Sequence, residues 1–134
     1  MLVDAAAALM VRSPERFDTL ITTNMFGDIL SDLASELCGG LGLAGSLNAG
    51  PPHAAAQAQH GSAPDIAGRG VANPVSLILS LAMHQRQLGE AQAASANEGH
   101  VADTLPKLRT VDLDVDADTA TFTHYLVSSI EATA

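Results

Sequence analysis

Two aspartates four residues apart, Asp28 and Asp32, lie in the stretch Phe17–Gly42, FDTLITTNMFGDILSDLASELCGGLG. On a helix that spacing stacks the two carboxylates one turn apart, roughly 40° around the axis. Like charges so placed repel by a few tenths of a kcal/mol, and the stretch contains no Lys or Arg to offset them. A divalent cation would offset them. Hard ions such as Mg²⁺ or Mn²⁺ take one or two protein carboxylates and complete their shell with substrate and water oxygens. On spacing alone the preferred reading is a solvated acidic face near a helix N-terminus, where the macrodipole favours Asp.

A second stretch with chemical character is His60–Gly68, HGSAPDIAG. Its small residues allow a ligand close to the backbone. Asp65 can accept hydrogen bonds from vicinal hydroxyls, as the acidic residue of a Rossmann site does from ribose. The G-x-G-x-x-G fingerprint is absent, and a plain surface loop is the competing reading. His53 and His60 have no Cys, His or Glu partner at ligand spacing, which argues against zinc. Alternating aspartates at 112, 114, 116 and 118 suggest a calcium loop. The sixth and twelfth positions hold Ala117 and Thr123 where an EF-hand needs Gly and Glu, so that reading fails.

The elements that must position these residues follow from periodicity and punctuation. The β-branched run Thr19–Thr23 predicts a buried strand. Asn24 then offers a cap for a helix over Phe26–Cys38, with an apolar stripe of Ile29, Leu30, Leu33, Leu37 and Cys38, and Gly39-Gly40 ends it. The aspartates point away from that stripe, and Cys38, the single cysteine, is read as inert packing. Upstream, Ala5–Val11 is a helical pattern stopped at Ser13-Pro14, which puts Asp4 at or near an N-cap worth about 1 kcal/mol. Leu43–Gln59 reads as irregular, with Ala54–Ala56 forming at most a turn or two of helix. Asn73-Pro74 starts a helix that runs to Leu88 and stops at Gly89. Its face of Val75, Ile78, Leu79, Ala82 and Met83 is widened by Leu77 and Leu81; core packing is the commoner explanation of such a stripe, and burial on two sides, by core and by a partner subunit, is the sharper one. Ala91–Leu105 is a helix interrupted by Gly99, and Thr119–Ile130 is a C-terminal helix through Phe122, Leu126 and Ile130.

Composition excludes several classes. The chain has 134 residues, 47% of them hydrophobic, enough for one modest core. Net charge is −9 with six basic residues, which argues against nucleic acid as a partner. There is neither a cationic leader with an apolar core nor an apolar run of membrane-spanning length, and a cytoplasmic protein is expected. One Tyr, three Phe and no Trp is thin for a free-standing domain. That thinness fits a piece of a larger protein.

The run Asn24–Asp32, NMFGDILSD, closely resembles the metal-binding segment of the β-decarboxylating dehydrogenases, the isocitrate/3-isopropylmalate dehydrogenase family, tartrate dehydrogenase-like members included. Val3–Ala7, His60–Gly68 and Asn73-Pro74 match further blocks of that family in order, so the resemblance is specific from Val3 to about Leu88 and looser beyond. It implies an α/β chain, a C-terminal fragment of the isopropylmalate dehydrogenase-like fold that is mostly helical with a few strands. Residues 1–134 would form a single partial domain: 1–42 a metal-binding segment, 43–74 an irregular region with the cofactor loop, 75–134 a helical part.

The resemblance further implies Mg²⁺ or Mn²⁺ held by Asp28 and Asp32, with Asp4 as a third ligand given to the neighbouring subunit of a homodimer. His60, Gly61, Ser62, Ala63 and Asp65 would bind the adenosine side of the cofactor, and Asn73 would contact the adenine. Asp65 favours NAD, because a 2′-phosphate would face a carboxylate. Members oxidise a 2-hydroxy dicarboxylic acid, such as a 3-isopropylmalate-like acid, and release its β-carboxylate, with the metal polarising the reacting oxygen. No catalytic residue is assigned here, because the family's Lys/Tyr pair and substrate-clamping arginines fall upstream of Met1. The expectation is a metal- and NAD-binding portion of a dehydrogenase, inactive alone; the alternative is a non-catalytic dimerisation module that binds an intact paralogue. Two features depart from the family: Gln57 and Gln59 stand where an acidic residue is usual, and Asp114–Asp118 replaces two glycines and a lysine after Arg109-Thr110.

Overall fold

The computed structural model describes residues 1–113 and 117–132. It divides into two compact units, Met1–Gly40 and Leu41–Ala134. Asp114 and Asp116 of the aspartate run lie outside the described residues.

The first unit is a helix pair. Helix α1 spans Val3–Arg12 and helix α2 spans Asn24–Leu37, with a 3₁₀ turn at Pro14–Arg16 after α1. The helices meet through small and flexible side chains: Ala6, Met10 and Leu30 are buried, with Val3, Phe17, Leu33 and Ala34 packed around them. Asp4 is not the cap of α1. The cap position is Leu2, and Asp4 sits in the first turn, where its carboxylate accepts the Ala5 N–H at 2.7 Å and so satisfies one of the donors that a helix start leaves unpaired. Asn24 likewise is the first residue of α2, with Thr23 before it as cap.

Two expectations for this unit fail. Thr19–Thr23 forms no strand, and Ile21 is 97% exposed. A strand exists only through ladder hydrogen bonds to a neighbour, and among the described residues the only named strands, β1 and β2 below, pair with each other. Cys38 is exposed. The stripe that was to bury it is covered only on the Leu30–Ala34 side, and Ile29 and Leu37 remain open to solvent.

The second unit contains a hairpin where an irregular stretch was expected. Strands β1, Gly45–Ala49, and β2, Ala54–Ala58, pair antiparallel from Gly45↔Ala58 to Ala49↔Ala54. The loop Gly50-Pro51-Pro52-His53 closes with the Gly50 N–H donating to the His53 carbonyl at 2.9 Å and holds a cis peptide between the prolines. Alanine prefers helix, yet β2 reads Ala-Ala-Ala-Gln-Ala because a helix lies against it.

That helix is α3, Val75–Gln87. Two fully buried serines one turn apart on α3 tie the hairpin down. Ser76 Oγ accepts the Gln59 N–H at 2.9 Å and donates to the Ala44 carbonyl at 2.6 Å. Ser80 Oγ accepts the Ser46 N–H at 2.9 Å and shares its proton between the carbonyls of Gln57 and Ser76, both at 2.7 Å. Each hydroxyl thus bridges the two sides of the hairpin, and removing one would leave buried backbone groups unpaired at about 1–3 kcal/mol. The approach demands small residues: a Cβ on Gly45 would stand 3.0 Å from Met83 Sδ and 3.1 Å from the Ser80 nitrogen.

Helix α4, Ala91–Thr104, and helix α5, Thr119–Glu131, complete this unit close to their expected bounds. Gly99 does not interrupt α4; it faces open space. Gly89, at φ +89°, ends α3 as expected. Asp118 caps α5 by accepting the Thr121 N–H at 2.7 Å, and its hydrogen bonds to Thr121 hold its carboxyl below the usual carboxylate range. The core is Val75, Val101, Phe122 and Leu126, with Leu43, Ile78, Leu79, Leu105, Leu108 and Ile130 around it. Among the described residues no helix is long and apolar enough to cross a membrane.

Candidate metal and cofactor sites

Helix geometry decides where the three aspartates point. The seam between α1 and α2 is built on Ala6, Met10 and Leu30. Asp4 lies two residues before Ala6, Asp28 two before Leu30 and Asp32 two after it, each about 200° around its helix from the seam. All three are exposed. Among the described residues no three His, Cys, Asp or Glu side chains gather to hold a metal ion, so Asp4 does not join Asp28 and Asp32 within one chain. What one chain presents is a two-carboxylate face on α2. That donor set suits a hard divalent cation, which needs only one or two protein carboxylates.

The loop from His60 to Gly70 is a series of turns exposed along its length apart from the half-buried Ile66. The Ile66 N–H donates to Ala63 and the Arg69 N–H to Ile66, both at 3.1 Å. His60 Nδ1 lies 2.9 Å from the Gly61 carbonyl. Ala63 has φ +40°, while Gly68 and Gly70 have +75° and +66°. A left-handed alanine costs on the order of 1 kcal/mol, and such strain concentrates at binding sites. A Cβ added at Gly61 would meet nothing, so the loop is an open platform here. The Asp65 carboxylate stands in solvent.

Asn73 is placed differently from the rest of the expected cofactor set. It is 3% exposed. Its Oδ1 accepts the Val75 N–H at 2.8 Å, and its Nδ2 donates to Thr110 Oγ1 at 2.8 Å. The helix begins one residue later than the Asn-Pro pattern implied, with Pro74 at the cap position and Val75 first, so Asn73 holds the start of α3 from just before the cap, and both ends of its amide are used inside the fold. Thr119 fixes the same corner: its N–H donates to the Gly70 carbonyl at 2.7 Å and its hydroxyl to the Ala72 carbonyl at 2.6 Å. Sequence reasoning missed Thr110 and Thr119 in this role. Neither carries a local signal, because each acts across tens of residues of chain.

The loop and the aspartate pair lie in different units, and each stands by its own geometry. Comparison with known proteins supplies the wider frame. A family model described as isocitrate/isopropylmalate dehydrogenase matches residues 1–129. An isocitrate/homoisocitrate dehydrogenase of Thermus thermophilus is 50% identical over 133 residues, which is 98% of this chain and 40% of that protein. A 3-isopropylmalate dehydrogenase of Archaeoglobus fulgidus is 44% identical over 130 residues, 96% of this chain and 40% of that protein. The crystal structure of isocitrate dehydrogenase from Methylococcus capsulatus superposes with a TM-score of 0.93 at 46% identity, over 97% of this chain and 40% of that one. The chain thus spans about two fifths of the length of these relatives.

Proposed function

We propose a function for a chain that belongs to the isocitrate/isopropylmalate dehydrogenase family: it is the metal- and NAD-binding portion of a β-decarboxylating dehydrogenase of a 2-hydroxy dicarboxylic acid, cytoplasmic, and without turnover by itself. The observation that carries this reading is the exposed Asp28/Asp32 pair on the back of α2. Those two carboxylates would hold Mg²⁺ or Mn²⁺, and Asp4, turned from its own chain's pair, would serve a second subunit. The metal supplies Lewis acidity toward the substrate oxygens when bound. On the other unit, His60, Gly61, Ser62 and Ala63 offer exposed backbone to the adenosine side of NAD. Asp65 would accept hydrogen bonds from the ribose hydroxyls, and Asn73 would pin the loop's exit beside the adenine.

The metal reading is tested by melting the protein with and without Mn²⁺. Two protein carboxylates without substrate make a weak site, with Kd on the order of millimolar. At tenfold over Kd an ion that binds only the folded form stabilises by about 1.4 kcal/mol, a rise of several degrees for a domain of this size. Asp28→Asn with Asp32→Asn should abolish the rise. In EDTA the double variant should melt slightly above the parent, since a repulsion of a few tenths of a kcal/mol is gone. An identical Mn²⁺ response in parent and variant would reduce the pair to a solvated face.

A dimerisation module is the second reading, and exposed apolar side chains favour it. Leu77 and Leu81 on α3 are 57% and 49% exposed and border a hollow of about 440 Å³ with Ala56, Ile78 and His84. On α2, Ile29 and Leu37 are open as well. The first reading calls for a homodimer, and the second for a partner that is an intact paralogue. Sedimentation is expected to show a dimer at micromolar concentration that Leu77→Lys with Leu81→Lys weakens; a monomer across that range would count against the homodimer.

A further inference from the structure

The exposed loop from His60 to Arg69 is held at both ends by helices of its own unit. At the entrance the Gln59 N–H donates to Ser76 Oγ on α3 at 2.9 Å. Between the ends, the backbone bonds of Ile66 to Ala63 and of Arg69 to Ile66 close turns within the loop itself. Its overall shape therefore depends on where its ends are fixed. At the exit Gly70, at φ +66°, turns the chain. Thr119, the half-buried first residue of α5, then takes two carbonyls. Its N–H donates to Gly70 at 2.7 Å and its hydroxyl to Ala72 at 2.6 Å. A helix leaves its first N–H groups without an internal partner, and this one is used to hold the loop. Next along the chain, buried Asn73 is fixed to Thr110, which forms a parallel bridge with Ala117, two residues before Thr119.

We propose that Thr119 is a positioning residue for the nucleotide: through Gly70 and Ala72 it holds the loop in the shape that receives the adenosine side of NAD. This rests on the NAD reading of the loop. Thr119 itself acts on backbone carbonyls and not on the ligand. A loop that samples several shapes binds with an affinity reduced by the fraction of time spent in the competent one. Ala63, at φ +40°, holds a conformation that persists only where its surroundings over-determine it. Releasing the exit removes one of those determinants.

The test titrates the full chain with NAD in EDTA and follows the loop amides by NMR. Thr119→Val keeps the shape and the N–H and removes the hydroxyl. It should raise the Kd by about three- to tenfold, the population shift that loss of one net hydrogen bond allows. Thr119→Ala, a better helix former, replaces it if the valine variant does not fold. Thr119→Ser, which keeps the hydroxyl, should restore the parent affinity. Thr123→Val is the control for helix stability: the Thr123 hydroxyl donates to the Thr119 carbonyl at 2.7 Å within α5, and its loss should leave the Kd unchanged. Trypsin gives a readout without nucleotide. Cleavage after the exposed Arg69 needs the loop to open locally and should be faster in Thr119→Val than in the parent. A parent that binds NAD beside a Thr119→Val chain with the same Kd overturns the proposal and leaves the NAD reading standing. Parent-like cleavage at Arg69 overturns it too, as does a Thr123→Val rise in Kd as large as that of Thr119→Val. A parent that binds no NAD at millimolar concentration overturns the reading and the proposal together.

Discussion

Purified protein given NAD, Mn²⁺ and any 2-hydroxy dicarboxylic acid is expected to produce no measurable NADH. The chemistry needs a group to take the hydroxyl proton and cations to clamp two carboxylates. The unit that carries Asp28 and Asp32 contains neither Lys nor Tyr, and its only arginines are Arg12 and Arg16. The chain's single lysine, Lys107, follows α4, and its single tyrosine, Tyr125, is on α5, both in the other unit. Lack of a positioned acid–base group forfeits about 10²–10⁴ in rate, and loss of the substrate clamp forfeits an orientation advantage on the order of 10⁵. From a typical turnover of roughly 10 s⁻¹ this leaves about 10⁻⁶ s⁻¹ or less. NADH absorbance followed against protein concentration checks it. A rate proportional to protein and removed by Asp28→Asn would show that the chain completes its own site.

Legibility in the sequence followed how local the cause was. Helices α3, α4 and α5 could be read because their causes lie within a few residues: Asn73-Pro74 at one start, Gly89 at one end, and Phe122, Leu126 and Ile130 at helical spacing. The hairpin could not, because what turns Ala54–Ala58 into a strand is a pair of serines and a close backbone approach from α3, about twenty residues away. The strand expected at Thr19–Thr23 failed for the opposite reason: the local signal is present, but a strand needs a partner and none lies among the described residues. At the candidate sites, exposure of Asp28, Asp32 and Asp65 agrees with the reading of charged residues on outer faces. The inward turn of Asn73 depends on Thr110, 37 residues later, and no spacing rule reaches that far.

Phe122→Ala is expected to unfold the second unit or leave it marginal. Phe122 is the largest fully buried side chain among the described residues, at 0% exposure. It packs with Val75 of α3, Val101 of α4 and Leu126 of its own helix, so it touches three elements that share no other aromatic. The chain's remaining aromatics cannot take its place: Phe17 and Phe26 belong to the first unit, and Tyr125 is 42% exposed. Truncating a buried Phe costs about 3–5 kcal/mol, the lost transfer term plus the cavity that the neighbours cannot fill. Against a typical total of about 5–15 kcal/mol, that removes a large share of the stability. Circular dichroism on heating should show a fall in Tm of about ten degrees or more. Phe122→Leu keeps most of the volume and should cost about 1.5 kcal/mol or less, while Tyr125→Ala, one turn from the core on the open side, should stay within about 0.5 kcal/mol. A Phe122→Ala loss below about 1 kcal/mol, or one no larger than that of Tyr125→Ala, would mean that the second unit is not held together by this core.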